Sequence, residues 1–438
     1  MPAPAYRTGR YRPGRFPGAH SKDMLCMRII IANDTYYPNV DGCSYFSQRL
    51  AHYLKKRGHS ILVIAPSRTR HTEYFSHDGI DIFGLYSLPT LFHKAYRFSP
   101  PFFIKKKISA AIQTFRPDVI HVQGHFYIEN AVVDVARELR IPVMGTNHFM
   151  PENLSHYAHA PKIVEAWIIK LMWSGFRSVF EKLEVVTAPT KTAARILHDI
   201  GLNKKVIPIS CGVDLQKYNP QAGAPRGRSI GLASLRLGLN NGDYLRKRYH
   251  LPNKPLLLCV GRLAPEKNID CILRAVAAIA AAVSKKIPIH LVVAGGGLER
   301  KNLEKLAARL DIADSVTFTG FVPDEDMPNL YAISTAFAVA GTVELQSLVT
   351  MEAMASGLPV VAANALALPE LVHHGENGYL FSPNDVAGIA EYFSRIFSDH
   401  ALAKRMGQKS LQIAKAHDIN ITIASFEKIY ESLRQETC

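Results

Sequence analysis

Along almost its whole length the chain alternates between short apolar runs and segments with helical spacing, and this alternation limits its fold more than any other feature. Residues 28–32 are one apolar run; Phe46, Leu50, Tyr53 and Leu54 then recur at helical spacing, and Gly58 ends that helix. The run 61–65 follows, closed by Pro66, and further strands are expected at 119–122, 142–145, 185–188 and 206–209. Alternation of this kind predicts a parallel sheet covered by helices.

Residues 219–254 interrupt the rhythm with a stretch rich in Gly, Pro, Arg and Asn. It then restarts: a strand at 256–260, a helix face of Ile269, Ile272, Leu273, Val276 and Ile279, and strands at 289–294, 315–319, 336–339 and 359–362. The simplest reading is an α/β protein with two Rossmann-like, doubly wound domains facing a central cleft. Ligands of such sheets bind beyond the carboxyl ends of the strands. The expected organisation is a disordered basic extension (1–26), a first domain (27–218), a linker or insertion (219–254), a second domain (255–418) and a C-terminal helix (419–438) packing back toward the first. A chain of 438 residues has room for this, at roughly 100–200 residues per domain.

Composition narrows the class. With 47% hydrophobic and 20% charged residues the chain reads as globular. The most apolar helical stretch, 163–180, is interrupted by Glu165, Lys170 and Arg177, so no spanning helix is expected. Arg7, Arg10, Arg12 and Arg15 stand in an N-terminal tail that lacks the apolar core of a signal peptide. The six cysteines form no C-x-x-C pair, which argues against a metal cluster or disulfide framework and fits a reducing cytoplasm. The net charge is +15. Such an excess suits an acidic partner: a phosphate-bearing substrate, an anionic membrane or nucleic acid.

Four places carry chemistry. The loop 33–43 follows the first strand and brings Gly42 to a helix entry, where backbone amides attract phosphate. The loop 261–268 places Arg262 and Lys267 around a turn at the mouth of a strand, a pair able to clamp a diphosphate. The strand 336–339 leads through Gly341 and Glu344 into a small-residue helix holding Glu352. The amides near Ser347 and Leu348 would face a phosphate, and the two acids would point to one side of that helix start. His148, after a strand of the first unit, could touch a reacting group. Asp324-Glu325-Asp326 has the form of a metal-binding D-x-D, but helix capping explains it better. Gly295-Gly296-Gly297 does not match the dinucleotide fingerprint.

Taken together, these residues resemble the retaining family-4 glycosyltransferases of the GT-B fold, from about Met27 to the C-terminus apart from 219–254. The marks are 34–42, Cys211-Gly212-Val213-Asp214, Gly261-Arg262 with Lys267, Gly295 to Gly297, Thr319-Gly320-Phe321, the Glu344/Glu352 pair, 354–361 and Asn377-Gly378. The resemblance implies that Gly42 packs near the donor phosphates and that Arg262 and Lys267 hold the pyrophosphate. It implies that Glu344 contacts the donor sugar, Glu352 the nucleotide ribose, and that His148 lies near the transferred sugar. It also implies retention of anomeric configuration, a UDP-glucose or GDP-mannose co-substrate, no metal or other cofactor, and a hydroxyl acceptor on a lipid or glycan. Nucleic acid is not an expected partner.

The chain departs from the family at two points. Glu344-Leu345-Gln346-Ser347 lacks the usual Glu-x-Phe-Gly, and 39–42 has one glycine where many members have two. Both departures resemble subgroups that glycosylate lipids. Interleaved aromatics and cations at 91–107 suggest contact with an anionic membrane surface, which would make the protein cytoplasmic and peripheral on the inner face. Two rival readings share the fold: a nucleotide-sugar epimerase and a non-catalytic nucleotide-sugar binder.

Overall fold

The computed structural model describes residues 26–37, 39, 41–69, 71–90, 97–152, 162–222, 241–282 and 287–437. Residues 1–25 of the expected basic extension, residues 223–240 of the expected 219–254 insertion, and the 91–96 part of the aromatic segment lie outside the described residues.

The first half runs β1 (Arg28–Ala32), α1 (Gly42–Lys56), β2 (Ser60–Pro66), β3 (Glu73–His77), β4 (Ile80–Leu85), the short pair β5 (Leu88–Pro89) and β6 (Arg97–Phe98), and α2 (Pro101–Phe115). It continues with β7 (Val119–Val122), α3 (Tyr127–Glu138), β8 (Val143–Thr146), α4 (Lys162–Phe180), β9 (Val185–Ala188), α5 (Lys191–Asp199) and β10 (Val206–Pro208). Eight of these strands form one sheet in the order β10-β9-β8-β7-β1-β2-β4-β3. All neighbours are parallel except β3 and β4. That hairpin turns at Asp78-Gly79, both at positive φ, the backbone shape that a two-residue hairpin requires.

The second half opens with α6 (Asn241–Arg248), then β11 (Leu256–Val260), α7 (Ile269–Ala281), β12 (His290–Ala294), α8 (Arg300–Arg309), β13 (Val316–Gly320), α9 (Met327–Ala332), β14 (Ala336–Val339), α10 (Leu348–Ala355), β15 (Val360–Ala363) and β16 (Gly378–Phe381). Its sheet is wholly parallel, in the order β13-β12-β11-β14-β15-β16. The central strands are buried on both faces, so they read as unbroken apolar runs rather than alternating ones. Three helices close the chain: α11 (Val386–Ser398), α12 (His400–Ala414) and α13 (Ile419–Thr437).

In each sheet the strand order reverses once, between β1 and β7 in the first and between β11 and β14 in the second. The loops after these four strands therefore open into the crevices where doubly wound sheets bind ligands. The glycine run 295–297 has a packing cause. A Cβ on Gly295 would stand 1.9 Å from the Gly261 carbonyl oxygen, and one on Gly297 would stand 2.2 Å from that of Leu263. The run lets the loop after β12 press against the loop that carries Arg262.

The final helix α13 crosses to the first half. Ile423, Phe426 and Tyr430 are buried, and the Arg57 guanidinium meets Glu427 at 2.7 Å. Buried His121 on β7 bonds Thr146 Oγ1 through Nε2 and the Tyr430 hydroxyl through Nδ1, each at 2.7 Å. Burial pushes the His121 pKa down to about 3, so the ring is neutral at pH 7. Tyr430→Phe leaves one ring nitrogen without its partner in a dry site. We expect it to lower stability by about 1–3 kcal/mol, read as a lower denaturant midpoint with unchanged slope; an unchanged midpoint would contradict this role for the helix.

Candidate active site

The four crevice loops differ in how they are held. In the loop after β1, Asp41 caps α1 and accepts the Ser44 amide at 2.9 Å. Burial pushes the Asp41 carboxyl up, while that bond and the charge of Arg262 from the other half pull it back. Gly42 is the first helical residue, and nothing lies within 4 Å of where its Cβ would stand. A ligand can therefore approach the backbone there, beside a carboxylate that already takes part of the helix-end field. The same loop is fixed from below. The Asp34 amide donates to Glu129 Oε1 at 2.9 Å, and the Ile128 amide donates to Asp34 Oδ2 at 2.9 Å. Burial raises the pKa of both carboxyls, as expected for two acids sharing one dry site.

After β11, Pro265–Lys267 form a 3-10 turn that places the two cations. Arg262 meets the buried Glu266 at 2.8 Å. Lys267 meets Glu344 at 2.5 Å, across 77 residues of sequence. Gly341 lies close under this pair: a Cβ there would be 3.1 Å from Glu344 Oε1 and 3.5 Å from Lys267 Cδ. Ser347 is buried at the N-cap of α10, where its hydroxyl accepts the Thr350 amide. The amides of Leu348 and the next residue, in the first turn, have no intrahelical acceptor. A positive helix end thus stands close after the Lys267–Glu344 pair.

The two acids do not converge on one partner. Glu352 is 7% exposed; its Oε1 accepts from Arg49 at 2.9 Å and its Oε2 from the Tyr331 hydroxyl at 3.2 Å. Arg49 comes from α1 and also donates to the Gly212 carbonyl at 2.8 Å. Burial pushes the Glu352 carboxyl up against the pull of Arg49. The Tyr218 hydroxyl also faces this carboxylate.

His148 stands after β8, where its Nε2 bonds Gln123 Oε1 at 3.1 Å and Phe46 packs on its ring. Burial lowers its pKa to about 3. It is neutral at pH 7, suited to orienting a hydroxyl rather than delivering a proton. The two halves touch at the same level: Thr190 Oγ1 donates to the Leu345 carbonyl at 2.9 Å, and the Cys211 amide donates to Gln346 Oε1 at 2.6 Å. Gln346, one of the two departures from the family pattern, thus ties the 340–347 loop to the Cys211–Asp214 mark.

One sequence reading needs correction. Asp326 does stand at the N-cap of α9, but its carboxylate makes no capping bond. It accepts from Tyr249 at 2.7 Å and pairs with Arg248 at 2.9 Å. Of the 91–107 segment, Lys105, Lys106 and Lys107 stand on α2, whose Ile104 and Ile108 are fully buried. There Lys105 pairs with Glu138 at 2.6 Å and Lys107 donates to Thr72 Oγ1 at 2.9 Å, so two of its three cations have protein partners. Sequence reasoning missed Arg49, Asp41 and Glu129. The signal for Arg49 was a cation set between buried Phe46 and Leu50 on one helix. Two cavities open on the first half. One of about 330 Å3 lies at the carboxyl end of β7, around His125, Phe126 and Tyr127. The other, of about 600 Å3, lies around Arg28 and Arg116 at the opposite end of the sheet, away from the crevice loops.

Comparisons with known proteins bear on the family and the fold. Residues 40–217 match the profile of Glycosyltransferase Family 4, and residues 243–412 match that of Glycosyl transferases group 1. The α-monoglucosyldiacylglycerol synthase of Streptococcus pneumoniae is 29% identical over 394 residues, 88% of this chain and 83% of that protein. The GDP-mannose-dependent α-mannosyltransferase of Corynebacterium glutamicum is 27% identical over 361 residues, 82% of this chain and 78% of its own. The solved structure of Anabaena HepE in complex with UDP superposes with a TM-score of 0.68 at 20% identity, over 93% of this chain and 100% of that one. The chain belongs to the family-4 glycosyltransferases of the GT-B fold, enzymes that transfer a hexose from a nucleotide sugar.

The Arg49–Glu352 pair joins the halves with both side chains at least 86% buried. Removing one partner of a buried pair leaves an uncompensated charge. Arg49→Met should cost about 3 kcal/mol in urea unfolding, and adding Glu352→Gln should recover much of that loss. Equal loss in the single and double variants would mean that the pair is not coupled.

Proposed function

We propose that this protein is a retaining hexosyltransferase. It moves glucose or mannose from UDP-glucose or GDP-mannose to a hydroxyl of a lipid or glycan, working in the cytoplasm and peripherally on the inner face of the cell membrane. The second half holds the donor and the first half the acceptor. The observation that carries the reading is the Lys267–Glu344 pair beside the N-terminus of α10, at the switch point of the second sheet and opposite Gly42.

Arg262, Lys267 and the amides at Ser347 and Leu348 hold the diphosphate. Each charge-assisted bond contributes about 1.5–3 kcal/mol. With a donor bound, Lys267 turns from Glu344 to phosphate, and the freed carboxylate accepts hydroxyls of the sugar. Glu352, oriented by Arg49, accepts the ribose diol. Neutral His148 orients the sugar from the first half. The C1–O bond to the diphosphate breaks as the acceptor oxygen bonds to C1 from the same face, and the acceptor proton passes to the departing diphosphate oxygen. Cations and helix end stabilise that leaving charge, so no divalent metal is required.

The mutational test separates the roles. Arg262→Ala or Lys267→Ala should weaken binding of UDP or GDP by roughly tenfold to a hundredfold, from the bonds lost. Glu344→Gln should lower turnover with little change in that affinity. Calorimetry with the bare nucleotide, beside turnover assays in EDTA and NMR of the product anomer, reads all of these. Unchanged nucleotide affinity in both cation variants would sink the diphosphate assignment, and an inverted product would sink retention.

A further inference from the structure

The helix α4 is long and rich in apolar residues, yet its first half is barely packed. Its later residues Trp173, Phe176, Val179 and Phe180 are buried. Before them, Ile163 is 86% exposed, Val164 44%, Trp167 64% and Leu171 57%. Four of the nine exposed large hydrophobics among the described residues therefore fall within nine positions of one helix. At 100° per residue these four side chains cover an arc of about 100°, along about 12 Å of helix axis. A compact stripe of this kind marks a contact surface, whereas single exposed apolar residues need no explanation.

Topology says where the stripe points. A crossover helix between parallel strands runs opposite to them, so α4 starts at the carboxyl end of β8 and ends at the amino end of β9. Its unpacked turns therefore stand at the ligand end of the first sheet. The first packed turn confirms the level, because Trp173 lies edge-on to Phe149 at 6.0 Å, next in sequence to His148. The charge around the stripe is positive: Lys162 and Lys170 are exposed on the same turns, against the single acid Glu165.

We propose that the first half of α4 docks on an anionic phospholipid bilayer, with Ile163, Trp167 and Leu171 entering the headgroup–acyl boundary and Lys162 and Lys170 meeting lipid phosphates. The inference deepens the proposed function and rests on its reading that the acceptor is a lipid. Tryptophan and aliphatic side chains backed by lysines suit that boundary. A second copy of this chain suits it less, because a two-fold contact would bring the lysines of the two stripes, Lys162 and Lys170, toward one another. Docking there holds the His148 crevice against the surface from which a lipid hydroxyl would enter.

The chain has two tryptophans, one exposed on the stripe and one buried, which gives a direct readout. Vesicles of phosphatidylcholine, with and without phosphatidylglycerol, are prepared with brominated acyl chains. The wild-type emission should be quenched by the anionic vesicles only, and Trp167→Phe should abolish the quenching while the protein still sediments with them. Trp167→Asp/Leu171→Asp should lower the bound fraction at least tenfold at unchanged Tm and unchanged nucleotide affinity. Absent quenching, or undiminished sedimentation of the double variant, overturns the proposal. So does a dimer in light scattering that the double variant breaks, since the occupant would then be a second copy. Transfer of labelled sugar into chloroform-extractable product is read in the same samples. Anionic-vesicle binding through Trp167 without such label leaves the docking standing and defeats the lipid-acceptor reading.

Discussion

The arrangement depends on how the two sheets are held mouth to mouth, and one tie between them is the buried pair Arg49–Glu352. Taking both charges out of water is costly, and such a pair adds little net stability compared with apolar side chains of the same size. Its contribution here is register. It fixes α1, whose start carries Gly42, against α10, whose start carries Ser347 and Leu348. The bonds from Thr190 to Leu345 and from Cys211 to Gln346 repeat that constraint a few residues away. Two helix N-termini thus border the crevice that Arg262 and Lys267 also reach, and each offers backbone amides that an anion can accept from.

The site shows a second economy. Each cation already has a carboxylate: Arg262 has Glu266, and Lys267 has Glu344. The two partners differ in kind. Glu266 is almost fully buried and acts as a fixed counter-charge that aims the guanidinium. Glu344 sits at the crevice, with 13% of its side chain exposed. Under the proposed function Glu344 neutralises Lys267 before the donor arrives and binds sugar hydroxyls afterwards. Burial holds His148 neutral, which under the proposed function lets it orient the sugar without competing for the proton.

Much of this was legible in the sequence, for a physical reason. Strands buried on both faces are apolar runs with clear ends, so 119–122, 185–188, 256–260 and 336–339 coincide with β7, β9, β11 and β14. The β3–β4 hairpin escaped because an edge strand such as β3 alternates in exposure; the Asp78-Gly79 turn was its one signal. The opening glycine of β16 hid that strand, although Gly378 is there because a Cβ would stand 1.8 Å from the Val360 carbonyl oxygen. Gly42, Arg262, Lys267 and Glu344 could be picked out because each follows a strand end. Their pairings could not, since Lys267 finds Glu344 across 77 positions and Arg49 finds Glu352 across 303. For the 91–107 segment a cationic run with aromatics reads the same whether it borders lipid or begins an ordinary helix, and Lys105, Lys106 and Lys107 stand on α2 beside the buried Ile104.

The central claim is that the donor binds where the two switch points face each other. Hydrogen exchange with and without UDP or GDP measures this directly, because backbone amides that hold phosphate are protected when it binds. The account predicts protection in two separated stretches, 261–268 and 341–350, with a smaller effect at 41–44. Protection confined to one half at the outer strands, or around Arg28 and Arg116 at the far end of the first sheet, would contradict it.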